Sequence, residues 1–282
     1  MFALLASALI VATATQQIDT TVTVRPGSRL DLNNFEGSVT IGVWAKSAVR
    51  VQADPEDEGD VDVDVSGQSV SIRSSGRYGP ETVDYRLTVP VDMHLSISGQ
   101  SGDVTIDGTK GEISVETVEG EIRVTGGAGL ISLRSVDGSI TLSGARGRME
   151  LNSVDGEIRL TNVAGEIRAQ AVDGEITMDG VESSSVEAQS VDGEISYRGP
   201  IMDGGRYRLV SHDGDVTVIT PAINASVSVS TYSGNMESDF PIKLDGIRPG
   251  KRMDFTMGTG TARLEIESFD GTVSLRKGGT VR

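Results

Sequence analysis

Apolar and polar residues in the centre of the chain alternate in short blocks, which can be counted from regularly spaced glycines. Nine glycines, beginning with Gly102, are each nine residues apart, and the spacing resumes after one inserted residue. Apolar residues fall at positions three, five and eight of each block, as Ile158, Leu160 and Val163 do after Gly156. Alternation at positions three and five is typical of a half-buried strand. We expect position eight to point inward across a corner.

Two alternating blocks make a longer unit of eighteen residues with two unlike corners. Position seven of one block is occupied by residues that accept positive φ, which indicates a tight left-handed turn. These residues are Gly108, Gly126, Gly144, Asn162 and Gly180. Position seven of the other block is small, and valine and an acidic residue usually follow it. The residues at this second corner are Thr117, Ser135, Ser153, Ala171 and Ser190.

A repeat of fixed period, with a buried face on every unit, is the mark of a solenoid. The sequence therefore predicts an all-β fold, a parallel β-solenoid of the β-helix or β-roll type. We expect two nine-residue strands per eighteen-residue coil, coils about 4.8 Å apart and irregular end coils. The composition agrees, because glycine is abundant and aromatic residues make up only 4% of the chain.

The chain divides into a leader, a regular centre and two irregular flanks. We predict a signal peptide over 1–14, N-terminal irregular coils and a cap over 15–99, the regular solenoid over 100–199, and C-terminal irregular coils with a cap over 200–282. The open ends of stacked sheets readily pair with other strands. Self-association through the solenoid ends is therefore one expected mode of assembly.

The repeated unit S/T-V-x-G-[DE]-I-x-[VL] carries a family resemblance. Together with FEGSVTI (35–41) and FDGTVSL (269–275), it resembles the bacterial putative-adhesin domain family, a domain of unknown function related to the head domain proposed for autotransporter adhesins. The likeness covers roughly residues 18–277. The family motif is structural, so the resemblance implies a fold and a surface location and supplies no active-site residue.

The first residues predict export. FALLASALIVATA (2–14) is a short apolar run that ends in an A-x-A cleavage site before Thr15. The run is shorter than the roughly 20 residues of a membrane span. The chain has no cysteine, so we expect neither a disulfide framework nor a lipid-modified cysteine. We therefore predict a periplasmic, extracellular or cell-surface protein without a transmembrane anchor.

Charge narrows the choice of partners. The net charge of −16 argues against nucleic acid, whose binding proteins are basic. Residues 241–282 carry +3, so this end could contact an anionic envelope polymer or simply form a solvated cap.

The repeat also places one carboxylate per coil at the second corner. We call this set the acidic ladder: Glu119, Asp137, Asp155, Asp173 and Asp192. Like charges directly opposite each other on neighbouring strands are destabilising. Our main interpretation is solvated aspartates whose side chains bond the turn backbone; a divalent-cation edge is the alternative. A second set of carboxylates follows two residues later, and Arg123 and Arg159 could offset its charge.

Two further candidates are weaker. In DEGDVDVDV (57–65) valines alternate with aspartates, which predicts a strand with one acidic face; a calcium loop would need a glycine turn and a distal glutamate. His212 occupies the column that valine fills in other coils, so we expect a packed residue. Asp213 and Asp215 nearby leave acid–base chemistry as the alternative.

Two classes of function remain. We predict a non-catalytic, exported envelope protein, an adhesin-like binding or scaffold module without a cofactor, whose partner is an envelope polysaccharide or a protein. The alternative is a polysaccharide-active enzyme that uses a pair of ladder carboxylates. Such an enzyme would need aromatic platforms and an inserted loop, and the tyrosines do not cluster along the sequence.

Overall fold

The computed structural model describes residues 17–56, 59–76, 81–242 and 252–278. The predicted signal peptide, 1–14, lies outside these ranges. The described residues form strands and turns, with no helix among them that is long and apolar enough to cross a membrane. The prediction of an all-β protein with mainly parallel sheets is confirmed.

The described ranges contain 26 strands. In chain order they are β1 Ile18–Thr23, β2 Arg29–Glu36, β3 Val39–Trp44, β4 Ala48–Pro55, β5 Gly59–Ser66, β6 Ser69–Gly76, β7 Val83–Pro90, β8 His94–Ser101, β9 Val104–Thr109, β10 Ile113–Glu119, β11 Ile122–Gly126, β12 Ala128–Asp137, β13 Ile140–Ser143, β14 Arg146–Asp155, β15 Ile158–Thr161, β16 Ala164–Asp173, β17 Ile176–Asp179, β18 Glu182–Asp192, β19 Ile195–Arg198, β20 Arg206–Asp213, β21 Val216–Thr220, β22 Ala225–Thr231, β23 Met236–Ser238, β24 Met253–Met257, β25 Ala262–Asp270 and β26 Val273–Lys277.

The strands of the described ranges belong to two sheets of thirteen. In the centre the chain alternates between the sheets and returns to the same sheet eighteen residues later, so that Ile113 pairs with Ile131 and Ile140 with Ile158. These pairings are parallel and keep like residues in register. One coil is therefore one strand from each sheet.

The two strands of a coil are unequal in length, which differs from the predicted nine residues each. β14 has 10 residues, whereas β15 has 4. The longer strand stays paired with its neighbours around the bend that follows the first corner, where Gly147 pairs with Gly165. Hydrogen bonding therefore continues through a region that the sequence pattern assigns to a turn.

The first corner has the predicted backbone. Asn162 has φ of 53° and Gly144 has φ of 65°, both in the left-handed region. The next residue then faces the core: Val163 is 1% exposed. Both expectations for this corner are confirmed.

At the second corner position seven faces the core, and the expected inward position eight is wrong there. Val172 is 42% exposed, whereas its neighbour Ala171 is buried. Two causes are the small space beneath this corner and, in some coils, a hydrogen bond made by the residue at position seven. A small residue fits beneath the corner, and where it carries a hydroxyl it can bond the backbone of the preceding coil, as Ser190 does with the carbonyl oxygen of Gly174 at 3.1 Å.

Glycine is required at this corner because adjacent coils approach closely. The amide of Gly174 donates to the carbonyl oxygen of Asp192 at 3.0 Å. A Cβ atom on Gly174 would overlap the carbonyl oxygen of Gly156 in the preceding coil. The same contact recurs from coil to coil, which explains why the repeated glycine is never replaced in the regular centre.

The buried apolar side chains form one continuous core between the sheets. Ile131 and Leu133 come from one sheet, Ile140 and Leu142 from the other, and all four are fully buried. Burying each such side chain contributes about 1.5–3 kcal/mol. Because every coil repeats this contribution, the core is thin but continuous along the stack.

At both ends the spatial order of the coils departs from chain order. The β2/β3 coil lies between β6/β7 and β8/β9, and the β25/β26 coil lies between β20/β21 and β22/β23. Antiparallel strands complete the ends: β1 pairs with β4, β5 with β6, and β24 with β22. Because β25 lies between β20 and β22, Phe269 at the end of β25 lies between His212 and Tyr232.

Candidate functional site

A line of outward-facing side chains follows the second corner along the stack. The valines of this line are 42% to 51% exposed, which is unusual for a repeated apolar position. We call the line the corner stripe; in spatial order it consists of Val118, Val136, Val154, Val172, Val191, His212, Phe269 and Tyr232.

The stripe ends in three stacked rings. The His212 and Phe269 ring centroids are 4.9 Å apart with an interplanar angle of 18°, and those of Phe269 and Tyr232 are 4.8 Å apart at 3°. Each spacing matches the distance between neighbouring strands. His212 was expected to be a packed residue, but it lies on the surface, because the whole column faces outward at this corner.

Phe269 stacks on one ring face of Tyr232, and no other described ring stacks on the second face. The faces of Phe269 are covered by its two neighbours. Beyond Tyr232, β24 pairs with β22 only as far as Val229, so no described strand pairs beside the ring. Tyr232 is 68% exposed. A flat cationic group could therefore stack on this face.

A groove of about 630 Å³ runs beside the stacked end of the stripe. It crosses the ends of five strands, β16, β18, β20, β25 and β22, which spans about 19 Å at strand spacing. Its lining is Gln170, Ala171, Gln189, Ser190, Val191, Val210, Ser211, His212, Ser230, Thr231, Tyr232, Glu267, Ser268 and Phe269. The groove is thus apolar and aromatic along one side, and mainly polar along the other.

The hydroxyl groups beneath the groove serve the fold. Ser211 donates to the carbonyl oxygen of Gly193 at 2.8 Å, and Ser268 donates to that of Gly214 at 2.9 Å. Both serines are buried. Because these hydroxyls are directed at the backbone and His212 stacks on a ring, the groove contains no serine–histidine pair arranged for nucleophilic catalysis.

The acidic ladder is aligned as predicted, one carboxylate per coil. Asp155 pairs with Asp173 and Asp173 with Asp192, and Asp213 and Asp270 continue the line. The carboxylates therefore follow a line rather than surround a point. Within the described ranges, no three His, Asp or Glu side chains are grouped as a metal ion would require.

The expected turn bonds of the ladder aspartates are not formed. No backbone amide in the described part donates to the side chain of Asp137, Asp155 or Asp173. That bond is made instead by the residue after the glycine in two coils: Asp103 accepts from the Glu121 amide at 2.9 Å, and Asp215 accepts from that of Thr272 at 2.6 Å. The ladder carboxylates project into solvent.

Several charged side chains elsewhere on the regular coils form ion pairs. Arg123 and Arg159 each form an ion pair with the glutamate two residues before it, as the sequence suggested. On the outer face of the sheet beside the groove, Arg168 lies 2.8 Å from Glu187, and Arg208 lies 3.9 Å from both Glu187 and Glu265. The alternating ion pairs leave this face nearly neutral.

Carboxylates without ion pairs lie beside the stacked end of the stripe, and of these only Glu267 lines the groove. Asp192, Asp213 and Glu267 form no ion pair within the described part of the chain. Asp270 accepts a hydrogen bond from the Ser233 hydroxyl at 2.9 Å, which leaves its charge in place. Unbalanced negative charge therefore lies directly beside the corner stripe.

Most other aromatic candidates are structural. Tyr85, Tyr197 and Tyr207 are buried in the core, where burial raises the pKa of Tyr85 to about 12. Trp44 donates its indole N–H to the carbonyl oxygen of Ala48 at 2.7 Å, and the Lys46 ammonium lies 4.7 Å from its ring centre. These three buried tyrosines therefore form no platform for sugar rings; Tyr78 lies outside the described residues.

Two charged segments also have structural roles. Residues 59–66 form the edge strand β5 with Asp60, Asp62 and Asp64 exposed, as the strand interpretation predicted. At the C-terminal end, Arg276 lies 3.4 Å from Asp239 and Arg252 lies 3.2 Å from Asp254. These described arginines of the basic end already have partners in the chain.

The geometry defines a class: a two-sheet parallel β-solenoid whose distinguishing surface is a linear groove beside an exposed stripe. The chain belongs to the Toastrack DUF4097 family, whose model matches residues 93–200 and 150–276. Together these matches span more than half of the chain. The chain has no significant match among curated proteins.

Several solved structures are similar in outline. A putative cell adhesion protein from Clostridium sporogenes is 9% identical, with 93% of this chain and 100% of that chain covered and a TM-score of 0.24. A putative adhesin from Bacteroides fragilis is 14% identical, with coverage of 93% and 98% and a TM-score of 0.38. A putative lipid binding protein from Parabacteroides distasonis is 11% identical, with coverage of 94% and 98% and a TM-score of 0.34.

Proposed function

We propose that this protein is an exported, non-catalytic binding module of the cell envelope, and that the groove beside the corner stripe is its binding surface. The observation that carries the proposal is the exposed stack of His212, Phe269 and Tyr232 at the end of a continuous line of exposed valines. Exposed apolar patches of this kind mark sites where soluble proteins bind partners.

Chemistry at the groove favours binding over catalysis. The buried serine hydroxyls donate to glycine carbonyls, and the ladder carboxylates are spread along a line. A glycosidase needs two carboxyl groups on opposite sides of one bond. The alternative of a polysaccharide-active enzyme therefore has no supporting arrangement among the described residues.

Export is supported by the sequence alone. The apolar run 2–14 and its A-x-A site predict a mature chain that begins at Thr15. The divalent-cation edge on the acidic ladder is kept as a testable part of the proposal, because like charges in register would be stabilised by a bridging cation.

A pull-down of the mature chain on envelope fractions tests the proposal. Residues 15–282 are incubated with purified wall polysaccharide, membrane protein extract and whole cells of the source organism, with and without EDTA. We expect retention, and at least a fivefold loss for the Y232S/F269S variant. The matched control is V65S/L130S, which removes two exposed apolar side chains away from the stripe.

Each outcome is decisive. Equal retention of the two double variants would remove the groove as the binding surface, and no retention by any fraction would contradict a binding role. Loss of retention in EDTA would show that a divalent cation takes part in binding, whereas retention in EDTA would exclude a cation-bridged contact at the acidic ladder.

A further inference from the structure

We infer that the groove binds an extended, cationic polypeptide segment in which basic and apolar residues alternate. The inference rests on the proposed function, since it names the partner class of the same surface. It is carried by the position of unpaired carboxylates beside exposed apolar and aromatic side chains.

Charge determines the sign of the partner. Along the stacked end of the stripe, Asp192, Asp213 and Asp270 lie in register on β18, β20 and β25. These three aspartates follow the stripe residues by one position and lie outside the groove lining, where Glu267 is the only carboxylate and no arginine or lysine is present. Like charges at strand spacing repel one another, so a ligand that carries positive charge relieves a cost already present in the fold.

The arrangement of the rings favours a polypeptide over a glycan. Sugar rings are bound by the faces of aromatic side chains, but Phe269 is covered on both faces and His212 is covered by Phe269 on one. Among the described residues the stack therefore offers ring edges, one face of Tyr232 and, toward Val191, one face of His212. Aliphatic side chains can pack along such edges and the neighbouring valines, and a guanidinium group can stack on that face of Tyr232.

The dimensions fit a short extended segment. The groove crosses five strand ends, about 19 Å, which an extended chain covers in about six residues at 3.3 Å each. In such a segment alternate side chains point to opposite sides. A segment that lies along the corner stripe can therefore direct its apolar side chains into the groove and its basic side chains toward the aspartates on the other side of the stripe, which the alternating sequence supplies.

Fluorescence anisotropy with a labelled, end-blocked twelve-residue peptide of alternating arginine and valine tests the inference. Residues 15–282 are titrated at low ionic strength with this peptide and with its glutamate–valine and arginine–serine counterparts. We expect saturable binding of the first peptide, no binding of the second, and at least fivefold weaker binding of the third. Binding should weaken as salt is added.

Variants assign the site. D192N/D213N/D270N should weaken binding at least tenfold, and Y232S/F269S at least fivefold. The matched control, D54N/D92N/D107N, removes the same charge from exposed residues away from the corner stripe and should change the affinity less than twofold. Thermal melting of every variant confirms folding, and Y232S alone provides a milder substitution if the double variant is unstable.

If the two charge variants weaken binding equally, the peptide is attracted non-specifically by the net charge of −16, and the inference is overturned. Binding of a neutral hexasaccharide of N-acetylglucosamine that Y232S/F269S abolishes, without binding of the peptide, would also overturn it in favour of a glycan. If envelope fractions retain the wild type and not Y232S/F269S while the peptide does not bind, the inference fails and the proposed function stands.

Discussion

Ser190 and Val191 are adjacent at the second corner, yet the serine is buried and the valine is exposed. The hydroxyl of Ser190 donates to the carbonyl oxygen of Gly174. A buried carbonyl group without a partner costs about 1–3 kcal/mol. This bond, with the small size of serine, favours its inward position over that of the larger and more apolar neighbour.

The two kinds of corner provide a matched pair of valines. Val163 and Val172 both occupy position eight, nine residues apart, but the first is buried and the second faces solvent. We expect V163A to lower the free energy of unfolding by about 1–3 kcal/mol, because it removes buried methyl groups. V172A should change it by less than about 0.5 kcal/mol.

Urea unfolding followed by circular dichroism measures both changes. Equal destabilisation by the two alanine variants would mean that the second corner is packed like the first, and that the corner stripe is not a surface. The result would then also remove the basis of the proposed binding site.

At the level of the elements, the spacing of the coils is limited by backbone contacts at the second corner. The G174A variant would place a methyl group against the carbonyl oxygen of Gly156, which is part of the hydrogen-bonded stack and cannot move alone. We expect a loss of about 1–3 kcal/mol in the free energy of unfolding, the usual cost of overpacking.

Gly42 in β3 is the control for this substitution. A Cβ atom there would meet nothing within 4 Å. G42A should therefore change stability by less than about 0.5 kcal/mol, measured in the same urea titration. A stable G174A variant would indicate that the coils can separate at this corner without cost.

The regular coils were predictable from the sequence because their period, their core positions and the left-handed residue at the first corner all have local causes. Asn162 illustrates this, since it is a residue that tolerates positive φ at a position otherwise held by glycine. The inward-facing position at the second corner was not predictable in the same way. It depends on the small space between neighbouring coils, which Ala171 fills without a hydrogen bond, and at Ser190 also on a hydrogen bond to a different coil.

The candidate site was predictable only in part. The repeat pattern places His212, Phe269 and Tyr232 in one column, and the acidic ladder in the next position. It does not reveal that this column faces solvent. Nor does it reveal that β25 enters between β20 and β22, which is what sets Phe269 between His212 and Tyr232. That insertion is a long-range pairing without a local sequence signal.

At the level of the whole molecule, the stack has free sheet edges, which are templates for pairing with another chain. β5 is the edge of one sheet and presents the exposed Asp60, Asp62 and Asp64. Its valines Val61 and Val63 pack toward the core. Charged side chains on an edge strand oppose pairing with a second edge, and the net charge of −16 adds to this repulsion.

Self-association through the ends therefore depends on the charge of β5. The D60S/D62S/D64S variant keeps the strand pattern and removes the repulsion, so we expect it to form dimers or longer assemblies whose fraction rises with concentration. Sedimentation velocity over a hundredfold concentration range measures this. D54S/D92S/D107S, which removes three exposed charges elsewhere, should sediment as the wild type does. If the β5 variant also sediments as the wild type does at every concentration, edge charge does not control assembly, and the strands at the opposite end, β23 and β24, become the candidates for any contact between copies.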